Sequence, residues 1–372
     1  MTPAAPSRAP APLLLHVFPS FAIGGAEVRF AALANRFGDR WRHAVIALDG
    51  RTDCAGRIAP GVPLQLLAAP VAKGDGLSRF PAIRRTLCRL APAVLVTSNW
   101  GSIEWAMAAR TIPALRHIHT EDGFGPDEAT GQKMRRVLAR RLVLRHSAVV
   151  LPSMTLLGIA RDRWRLPEEC LHYIPNGLDL ARFTPGGPRL DLPGGEGPLI
   201  GTVATLRAEK NLGRLLEACA LLQGEGRALR LLVVGDGPER ARLVERVGAL
   251  GLAGCAHFTG ALADPAPAYR AMDLFALSSD TEQMPFSLLE AMASGLAVAA
   301  TDVGDVRALL APENHPYVVP PDAPALAGAL RPLLDDPDLR ARLGAENRAR
   351  VERNHDQEAM FQAYARLFDG AG

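Results

Sequence analysis

Two glutamates at the start of a predicted helix are the first residues whose spacing could do chemistry. Glu282 and Glu290 belong to the stretch "SSDTEQMPFSLLEAMASG", residues 278–295. Pro285 favours a helix start there, because the first helical position needs no N–H. A helix N-terminus carries about half a positive charge and binds phosphate, while carboxylates accept hydrogen bonds from sugar hydroxyls. Such a helix leaves free the N–H groups of Phe286, Ser287 and Leu288. Taken alone, the pattern fits ligand binding and helix capping equally well.

Two cations follow a predicted strand in the same half of the chain. Arg207 and Lys210 lie three positions apart in "TVATLRAEKNL". Two cations at a strand end can clamp a diphosphate. A solvated charge cluster with Glu209 is the alternative, and it is favoured when the stretch is considered alone.

Glycines mark two further loops between a strand and a helix. Gly24 and Gly25 lie in "FAIGGAE", and Gly235 lies in "VVGDGPER". Glycine lets the backbone turn tightly and approach a ligand closely. The second loop lacks the third glycine of a dinucleotide fingerprint, because Arg240 occupies that position. A plain tight turn explains each loop when it is considered alone.

The stretch "HIHTEDGFG" is the densest polar segment of the first half. His117 and His119 alternate with apolar residues and therefore share one face of a predicted strand, and Glu121 and Asp122 follow at its end. The spacing permits a metal site but nothing in it demands one, so we expect no metal. The Asp-x-Asp in "DDPD", residues 335–338, lies between helical segments and predicts a turn and an N-cap.

Short apolar runs alternate with helical patterns along the chain, which predicts an α/β fold with doubly wound parallel sheets. The Gly- and Pro-rich segment 184–198 predicts a linker between domains at 13–183 and 199–355. We expect the last helix, 356–369, to join the first domain, and the Pro/Ala-rich residues 1–12 to form a disordered tail. Ligands of two such domains would bind in a cleft at the carboxyl ends of their strands.

Composition sets limits on function. The chain has 372 residues, enough for two domains, and a net charge of +3, which gives no reason to expect nucleic acid as a partner. Its five cysteines are scattered without a disulfide or zinc pattern, which indicates a reducing compartment. No apolar stretch reaches the roughly 18 residues of a membrane span. We therefore expect a cytoplasmic protein, with attachment to the inner face of the membrane left open.

The segment "GQKMRRVLARRLVLRH", residues 131–146, carries six lysines and arginines and no acid. Apolar residues are interleaved with the cations, which predicts a basic amphipathic helix. Such a helix could lie on anionic lipid headgroups as a peripheral membrane contact. A helix with one packed face and a solvated basic face fits the pattern equally well.

The stretch "EQMPFSLLEAMASGLAVAATDVG", with "AEKN" and "VVGDGPE" upstream and "IPNGLDLARF" before the linker, resembles the family 4 retaining glycosyltransferases. The resemblance runs from His16 to the last helix. It implies the GT-B fold, in which two Rossmann-like domains face each other across a cleft. It also implies transfer of a sugar, with retention of configuration, from a nucleotide-diphosphate sugar to a lipid-linked, polysaccharide or other acceptor. We expect no cofactor beyond the donor.

The resemblance also implies roles for single residues in the second half. Glu282 would contact the donor sugar and Glu290 the ribose, and Lys210 matches the phosphate lysine of the family. The chain departs from the family at Thr205, where an arginine is usual and for which Arg207 could substitute, and at the position after the first glutamate, where a glycine is usual. The residues that would line the donor between the glutamates are Gln283, Met284, Pro285, Phe286 and Ser287.

In the first half, His119 matches the histidine that the family places beside the donor sugar, and it is the predicted catalytic residue there. The loop of Gly24 and Gly25 would face the diphosphate, with Gly235 contributing from the second half. The predicted acceptor-side residues are Asn99, Trp100, Glu121 and Asp122, although a loop tryptophan is more often a packing residue. Lys210, Arg207 and the helix N-terminus would stabilise the leaving diphosphate.

Two other functions remain open at this point. A nucleotide- or sugar-binding protein of the same fold without turnover is favoured by the departure at Thr205. A sugar-nucleotide epimerase would use the same fold for a different reaction. The sequence names neither the sugar, nor the base, nor the acceptor.

Overall fold

The computed structural model describes residues 11–71, 79–124, 128 and 131–370. Most of the predicted tail, residues 1–12, lies outside them. The chain forms two compact units. The first runs to Ile174 and includes the residues from Phe361 onward, and the second comprises Pro175–Met360. The predicted linker, 184–198, has no helix or strand and lies inside the second unit, so the boundary falls ahead of it.

The first unit contains a seven-stranded parallel sheet in the order β3-β2-β1-β4-β5-β6-β7. Its strands are β1 Leu13–Phe18, β2 Arg42–Ala47, β3 Leu64–Leu67, β4 Val94–Ser98, β5 Arg116–Thr120, β6 Ala148–Leu151 and β7 Leu171–Tyr173. Its helices are α1 Gly25–Phe37, α2 Phe80–Leu90, α3 Ile103–Ala109, α4 Met134–Val143 and α5 Met154–Asp162.

The second unit contains a six-stranded parallel sheet in the order β10-β9-β8-β11-β12-β13. Its strands are β8 Leu199–Val203, β9 Arg230–Val234, β10 Ala256–Gly260, β11 Leu274–Leu277, β12 Ala297–Thr301 and β13 Val318–Val319. Its helices are α6 Leu212–Gly224, α7 Arg240–Ala249, α8 Ala266–Ala271, α9 Phe286–Ala293, α10 Val306–Leu309, α11 Ala323–Asp335 and α12 Pro337–Asn354.

The last helix, α13 Gln357–Asp369, crosses the division between the units. Its C-terminal part packs on the first unit, where Phe368 meets the ring of Trp41 at 5.3 Å between centroids. The guanidinium of Arg116 donates to the carbonyl oxygens of Leu367 and Phe368. These contacts cap the helix end, since a guanidinium stabilises the free carbonyls there.

Strands such as β4, β6, β8, β11 and β12 are buried along nearly their whole length, because helices cover both faces of each sheet. In β12 all five residues of "AVAAT" are buried. The strand that opens each unit lies between two neighbours, with β1 between β2 and β4, and β8 between β9 and β11. This is the doubly wound arrangement, which confirms the predicted α/β fold of two Rossmann-like domains. Ligands of such sheets bind where the winding reverses, at the carboxyl ends of the central strands.

Candidate active site

The loops after β8 and β11 bring a lysine and a glutamate together in the second unit. Lys210 ends a short 3₁₀ turn after β8, and its Nζ donates to Oε1 of Glu282 at 2.6 Å. The hydroxyl of Ser279 donates to the same oxygen at 2.7 Å. The Glu282 side chain is 9% exposed and that of Lys210 is 25% exposed. The pair therefore lies at the surface of the unit, open to a ligand that could replace either partner.

A second set of bonds ties these two loops to each other. The amide of Asp280 donates to the carbonyl of Glu209 at 2.9 Å, and the hydroxyl of Ser278 donates to the carbonyl of Lys210 at 3.1 Å. Arg214, in the first turn of α6, donates to the Ser278 carbonyl and to the Asp280 carboxylate, each at 2.6 Å. Arg214 was not predicted as a site residue. It ties the start of α6 to residues 278–280, the part of the loop that leads to Glu282.

Helix α9 begins at Phe286, with Pro285 as the residue before the first helical turn. The predicted start is thus off by one residue. The N–H groups of Phe286 and Ser287 head the helix, where intrahelical acceptors do not exist. The N–H of Leu288 instead turns back to the carbonyl of Pro285 at 3.2 Å, so the expectation that it is free is wrong. Two N–H groups, with the positive end of the helix dipole, remain to attract an anion.

Met284 points into the second unit. It is 6% exposed, and its carbonyl accepts a hydrogen bond from the side-chain amide of Asn176 at 3.1 Å. Asn176 belongs to the "IPNG" stretch of the sequence. The predicted backbone role of Met284 toward a donor stays a prediction, while its side chain serves packing.

Glu290 is held by a tyrosine that sequence reasoning did not find. Tyr269, in α8, is completely buried, and its hydroxyl donates to Oε2 of Glu290 at 2.7 Å. The carbonyl of Ser287 lies 3.2 Å from the same hydroxyl. Burial first, and then the carboxylate of Glu290, raise the pKa of Tyr269 well above its ordinary value. Tyr269 therefore remains a proton donor, and it fixes the glutamate against the first turn of α9.

The backbone between Glu282 and Gln283 rests on a glycine. Gly304 has φ +54°, and a Cβ at this position would lie 1.9 Å from the carbonyl oxygen of Glu282. The amide of Asp305 donates to the carbonyl of Gln283 at 3.2 Å. Only glycine combines this conformation with this approach. The "TDVG" stretch therefore supports the loop that carries Glu282.

Gly235 plays a similar part after β9. It has φ +135°, and a Cβ there would lie 1.8 Å from the carbonyl oxygen of Ala204, in the loop after β8. Gly235 forms a β-bridge with Gly260, and the turn follows at residues 238–239. Its role toward a donor stays a prediction.

Arg207 does not join Lys210 on Glu282. Its side chain is 55% exposed, and the guanidinium lies 3.9 Å from the carboxylate of Glu209. It lines a groove between α6 and α7 together with Arg242 and Arg246. The charge cluster with Glu209, which was the alternative to a clamp, is therefore the arrangement observed. Replacement of the family arginine by Arg207 stays a prediction.

The carboxyl ends of β1, β4 and β5 gather a second set of predicted residues in the first unit. Gly24 precedes α1, and Arg29, one turn into this helix, donates to both carboxylate oxygens of Asp122 at 2.6 and 2.8 Å. Although burial opposes the charge, the carboxylate of Asp122 raises the pKa of Arg29 above its ordinary value. The side chain of Asn99 accepts from the amide of Asp122 at 2.8 Å. Arg29 was not predicted, although its spacing from Gly25 put it on the same helix.

His119, the predicted catalytic residue, lies inside the first unit. Its side chain is completely buried, with Nδ1 2.8 Å from Oγ1 of Thr97 and Nε2 3.6 Å from Oε2 of Glu121. His117 contacts the same Thr97 oxygen at 2.8 Å. Both nitrogens of His119 thus point at interior groups. The structure does not expose the ring, and its role beside a sugar stays a prediction.

Glu121 is also completely buried, and Arg140 of α4 donates to it from Nε at 2.9 Å. Burial is the largest single influence on Glu121 and would raise its pKa, but the charge of Arg140 and the contacts with His119 and Arg140 together lower that pKa below its ordinary value. The guanidinium groups of Arg136 and Arg140 each lie 5.1 Å from the ring of Trp100. Glu121 and Trp100 therefore belong to a packed cluster, while Asp122 and Asn99 lie nearer the surface. The acceptor role of all four stays a prediction.

Within the residues that the structure describes, no group of three or more His, Cys, Asp or Glu side chains could hold a metal ion. Asp336 caps α12, accepting from the amide of Leu339 at 2.8 Å, as the "DDPD" stretch predicts. It therefore acts as an N-cap.

The two halves of the chain match two family models. Residues 23–182 match Glycosyltransferase Family 4, and residues 192–350 match Glycosyl transferases group 1. Among solved structures, sucrose-phosphate synthase of Thermosynechococcus elongatus has a TM-score of 0.78 at 20% identity, over 96% of this chain and 99% of that chain. Anabaena HepE in complex with UDP-glucose has a TM-score of 0.78 at 18% identity, over 96% of this chain and 100% of that chain. These likenesses establish the GT-B fold.

Relatives with a curated name are similar over shorter spans. Alpha-D-kanosaminyltransferase of Streptomyces kanamyceticus is 36% identical over 41% of this chain and 40% of its own length. A GDP-mannose-dependent alpha-mannosyltransferase of Mycobacterium tuberculosis is 34% identical over 47% of this chain and 42% of its own length. The D-inositol 3-phosphate glycosyltransferase of Nocardia farcinica is 29% identical over 69% of this chain and 60% of its own length. The matches to these relatives thus span 40% to 60% of their length. In its fold and its two family matches, the chain is similar to GT-B glycosyltransferases in which a Glycosyltransferase Family 4 domain precedes a Glycosyl transferases group 1 domain.

Proposed function

We propose that this protein is a glycosyltransferase that uses a nucleotide-diphosphate sugar as donor. The observation that carries the proposal is the arrangement around the start of α9. Residues 282–290 of the second unit contain both glutamates and two helix N–H groups. Lys210 and Tyr269 reach this stretch from other parts of the unit and bond to Glu282 and Glu290. The two family matches and the nucleotide sugar named with Anabaena HepE support this reading.

The chemistry follows from the polarity of these groups. The ammonium of Lys210 and the N–H groups of Phe286 and Ser287 supply positive potential where a diphosphate leaving group develops charge. Glu282 and Glu290 only accept hydrogen bonds, which suits hydroxyls of a sugar and a ribose. When a diphosphate binds the ammonium of Lys210 in place of Glu282, the Glu282 carboxylate becomes available to accept hydrogen bonds from the sugar. No step of this scheme requires a metal.

Retention of configuration, a glycan or lipid-linked acceptor and a cytoplasmic location complete the proposal. Retention rests on the family resemblance. The acceptor class is supported by the curated names, which include a lipopolysaccharide core glycosyltransferase of Rhizobium meliloti, similar over 48% of this chain. Among the described residues, the structure contains no helix with the length and hydropathy needed to cross a membrane.

Transfer rates of site variants test the proposal. A thermal-shift panel of nucleotide diphosphates and their sugars first selects the donor, because a ligand of the folded state raises its Tm. With that donor, Lys210→Ala should lower kcat at least about a hundredfold, as for loss of an oxyanion-stabilising group, and Glu282→Ala should also lower kcat because the sugar loses its acceptor. Arg331→Ala, which removes an exposed ion pair with Glu225 elsewhere in the unit, is the matched control. Full transfer rates in both site variants would refute the mechanism.

A binding protein without turnover is the second candidate. The position of Arg207 favours it, because the Arg207 guanidinium lies near Glu209 and away from the Lys210–Glu282 pair. The second cation of a diphosphate clamp is therefore not beside Lys210. Incubation with the selected donor separates the two functions. An enzyme releases nucleotide diphosphate by transfer or slow hydrolysis, whereas a binding protein raises its Tm with the donor and releases none.

A further inference from the structure

Helix α4 of the first unit has its polar and apolar residues in an unusual arrangement. Arg140 is completely buried, whereas Met134, Leu138 and Leu142 are 77%, 54% and 50% exposed. Within the described part of the chain, nine large apolar side chains are exposed, and three of them lie on this ten-residue helix. A surface helix of a soluble domain normally does the reverse. The arrangement therefore needs a partner for the apolar side.

The three exposed residues form one stripe. Successive residues of a helix are about 100° apart, so positions 134, 138 and 142 fall within an arc of about 80°. Arg141 and Arg135 lie at the two edges of this arc, and both are exposed. We name Met134, Leu138, Leu142, Arg135 and Arg141 the α4 face. It presents an apolar strip with one arginine at each edge.

The opposite side of α4 is held in place by buried charge and aromatic rings. The guanidinium of Arg140 lies 5.1 Å from the ring of Trp100, 5.4 Å from that of Phe124 and 4.9 Å from that of Trp164. It also donates to Glu121. Breaking a buried ion pair is strongly unfavourable, because it leaves an uncompensated charge. The helix therefore cannot rotate to bury the α4 face within its own unit.

We propose that the α4 face docks the protein on an anionic phospholipid surface. Residues 131–146 contain no acid, and four of their six cations, Lys133, Arg135, Arg141 and Arg145, are exposed, which matches negative headgroups. Met134, Leu138 and Leu142 would enter the boundary between headgroups and acyl chains, and Arg135 and Arg141 would contact phosphates. A second copy of this chain suits the face poorly, because its cations would meet cations.

The same helix links this surface to a predicted acceptor-side residue. Arg136 and Arg140 hold the ring of Trp100 against the inner side of α4. A docked α4 thus sets Trp100 at a fixed depth relative to the lipid, which suits an acceptor carried by a lipid. This last step rests on the proposed function, whereas lipid binding itself does not.

Flotation with vesicles tests the proposal. The full chain should bind vesicles of phosphatidylcholine mixed with phosphatidylglycerol and should not bind phosphatidylcholine alone. Met134→Gln, Leu138→Gln and Leu142→Gln together should abolish binding. Arg135→Gln with Arg141→Gln should weaken it about thirtyfold, from about 1 kcal/mol for each cation at such a surface. High salt should lower the affinity of the unaltered protein.

The control is Leu221→Gln with Val244→Gln, which removes two apolar residues that are 46% and 49% exposed in the second unit. It should leave vesicle binding unchanged, and the Tm of every variant should match that of the unaltered protein. Absent binding to anionic vesicles, or an equal loss in the control, overturns the proposal. A dimer seen by light scattering that the triple variant dissociates assigns the face to a second copy instead. If the protein does not bind vesicles but nucleotide diphosphates still raise its Tm, the lipid proposal fails and the proposed function does not.

Discussion

The hydroxyl of Tyr269 offers a sharp test of how the second unit would hold a nucleotide. Replacing Tyr269 by Phe removes one oxygen from a completely buried ring and leaves its packing against Phe183 and Phe275 in place. The lost bond is 2.7 Å long and ends on the Glu290 carboxylate. A hydrogen bond to a charged group contributes about 1.5–3 kcal/mol. Glu290 would then lose its fixed orientation.

If Glu290 binds the ribose, this loss appears in donor affinity. About 1.4 kcal/mol corresponds to a tenfold change, so Tyr269→Phe should raise the Kd of the nucleotide diphosphate about tenfold or more. Isothermal titration calorimetry with the nucleotide selected by thermal shift measures this. The kcat at saturating donor should change much less, because the bond would hold a binding group in ground and transition states alike. Tyr173→Phe, at a side chain 42% exposed, is the matched control.

A ribose analogue sharpens the test. Tyr269→Phe should lower the affinity for a 2′-deoxy nucleotide diphosphate less than it lowers the affinity for the ribose form. The deoxy form lacks the hydroxyl that would donate a hydrogen bond to Glu290. Unchanged affinity in Tyr269→Phe for the ribose form, with an unchanged Tm, would refute the assignment of Tyr269 as a positioning residue for Glu290.

Two further predictions concern backbone support and pH. Gly304→Ala should lower both the Tm and donor affinity, because its Cβ would lie 1.9 Å from the Glu282 carbonyl oxygen in a left-handed backbone conformation. The control is Gly328→Ala in helix α11, where an added Cβ would meet no atom within 4 Å. It should leave stability unchanged or raise it by up to about 1 kcal/mol. If both variants behave alike, the close approach at Gly304 does not support the loop. Burial, followed by the neighbouring His119, lowers the pKa of His117 to about 3 from 6.5. The unfolded chain therefore binds a proton at His117 more readily than the folded chain does. The stability that the neutral, buried His117 contributes is fully present above about pH 6.5 and is lost as the pH falls toward 3. The free energy of unfolding in urea should be lower at pH 5 than at pH 7, and this difference should be smaller in His117→Asn. An equal difference in the variant would contradict the role of His117.

The proximity of Lys210 to Glu282 was predictable in outline, because loops that follow neighbouring parallel strands meet at one edge of the sheet. The same topology explains why Asn99 and Asp122 meet. The Glu290 partner was not predictable, since Tyr269 lies 21 positions away on a short helix with no polar pattern. Arg29 and Asp122 are 93 positions apart, and only packing pairs them.

His119 shows where a pattern stops being informative. Alternation in "HIHTEDGFG" predicted that His117 and His119 share a face, and both contact Thr97. The alternation does not say what covers that face. Glu121, Arg140 and the aromatic rings around Arg140 close it, and they come from separate parts of the chain.

The sequence by itself determined the α/β class, the doubly wound sheets and the places where loops end at a sheet edge, because these follow from local apolar runs and glycine positions. A contiguous stretch of residues around Glu282 and Glu290 also carried the resemblance to glycosyltransferases, which the two family models support. Only the tertiary structure decided which cation reaches Glu282, that His119 is enclosed, and that α4 buries an arginine and exposes its apolar residues. Those outcomes depend on side chains that are distant in the chain, and a hydrogen bond or a buried charge selects its partner only after the fold has brought them together.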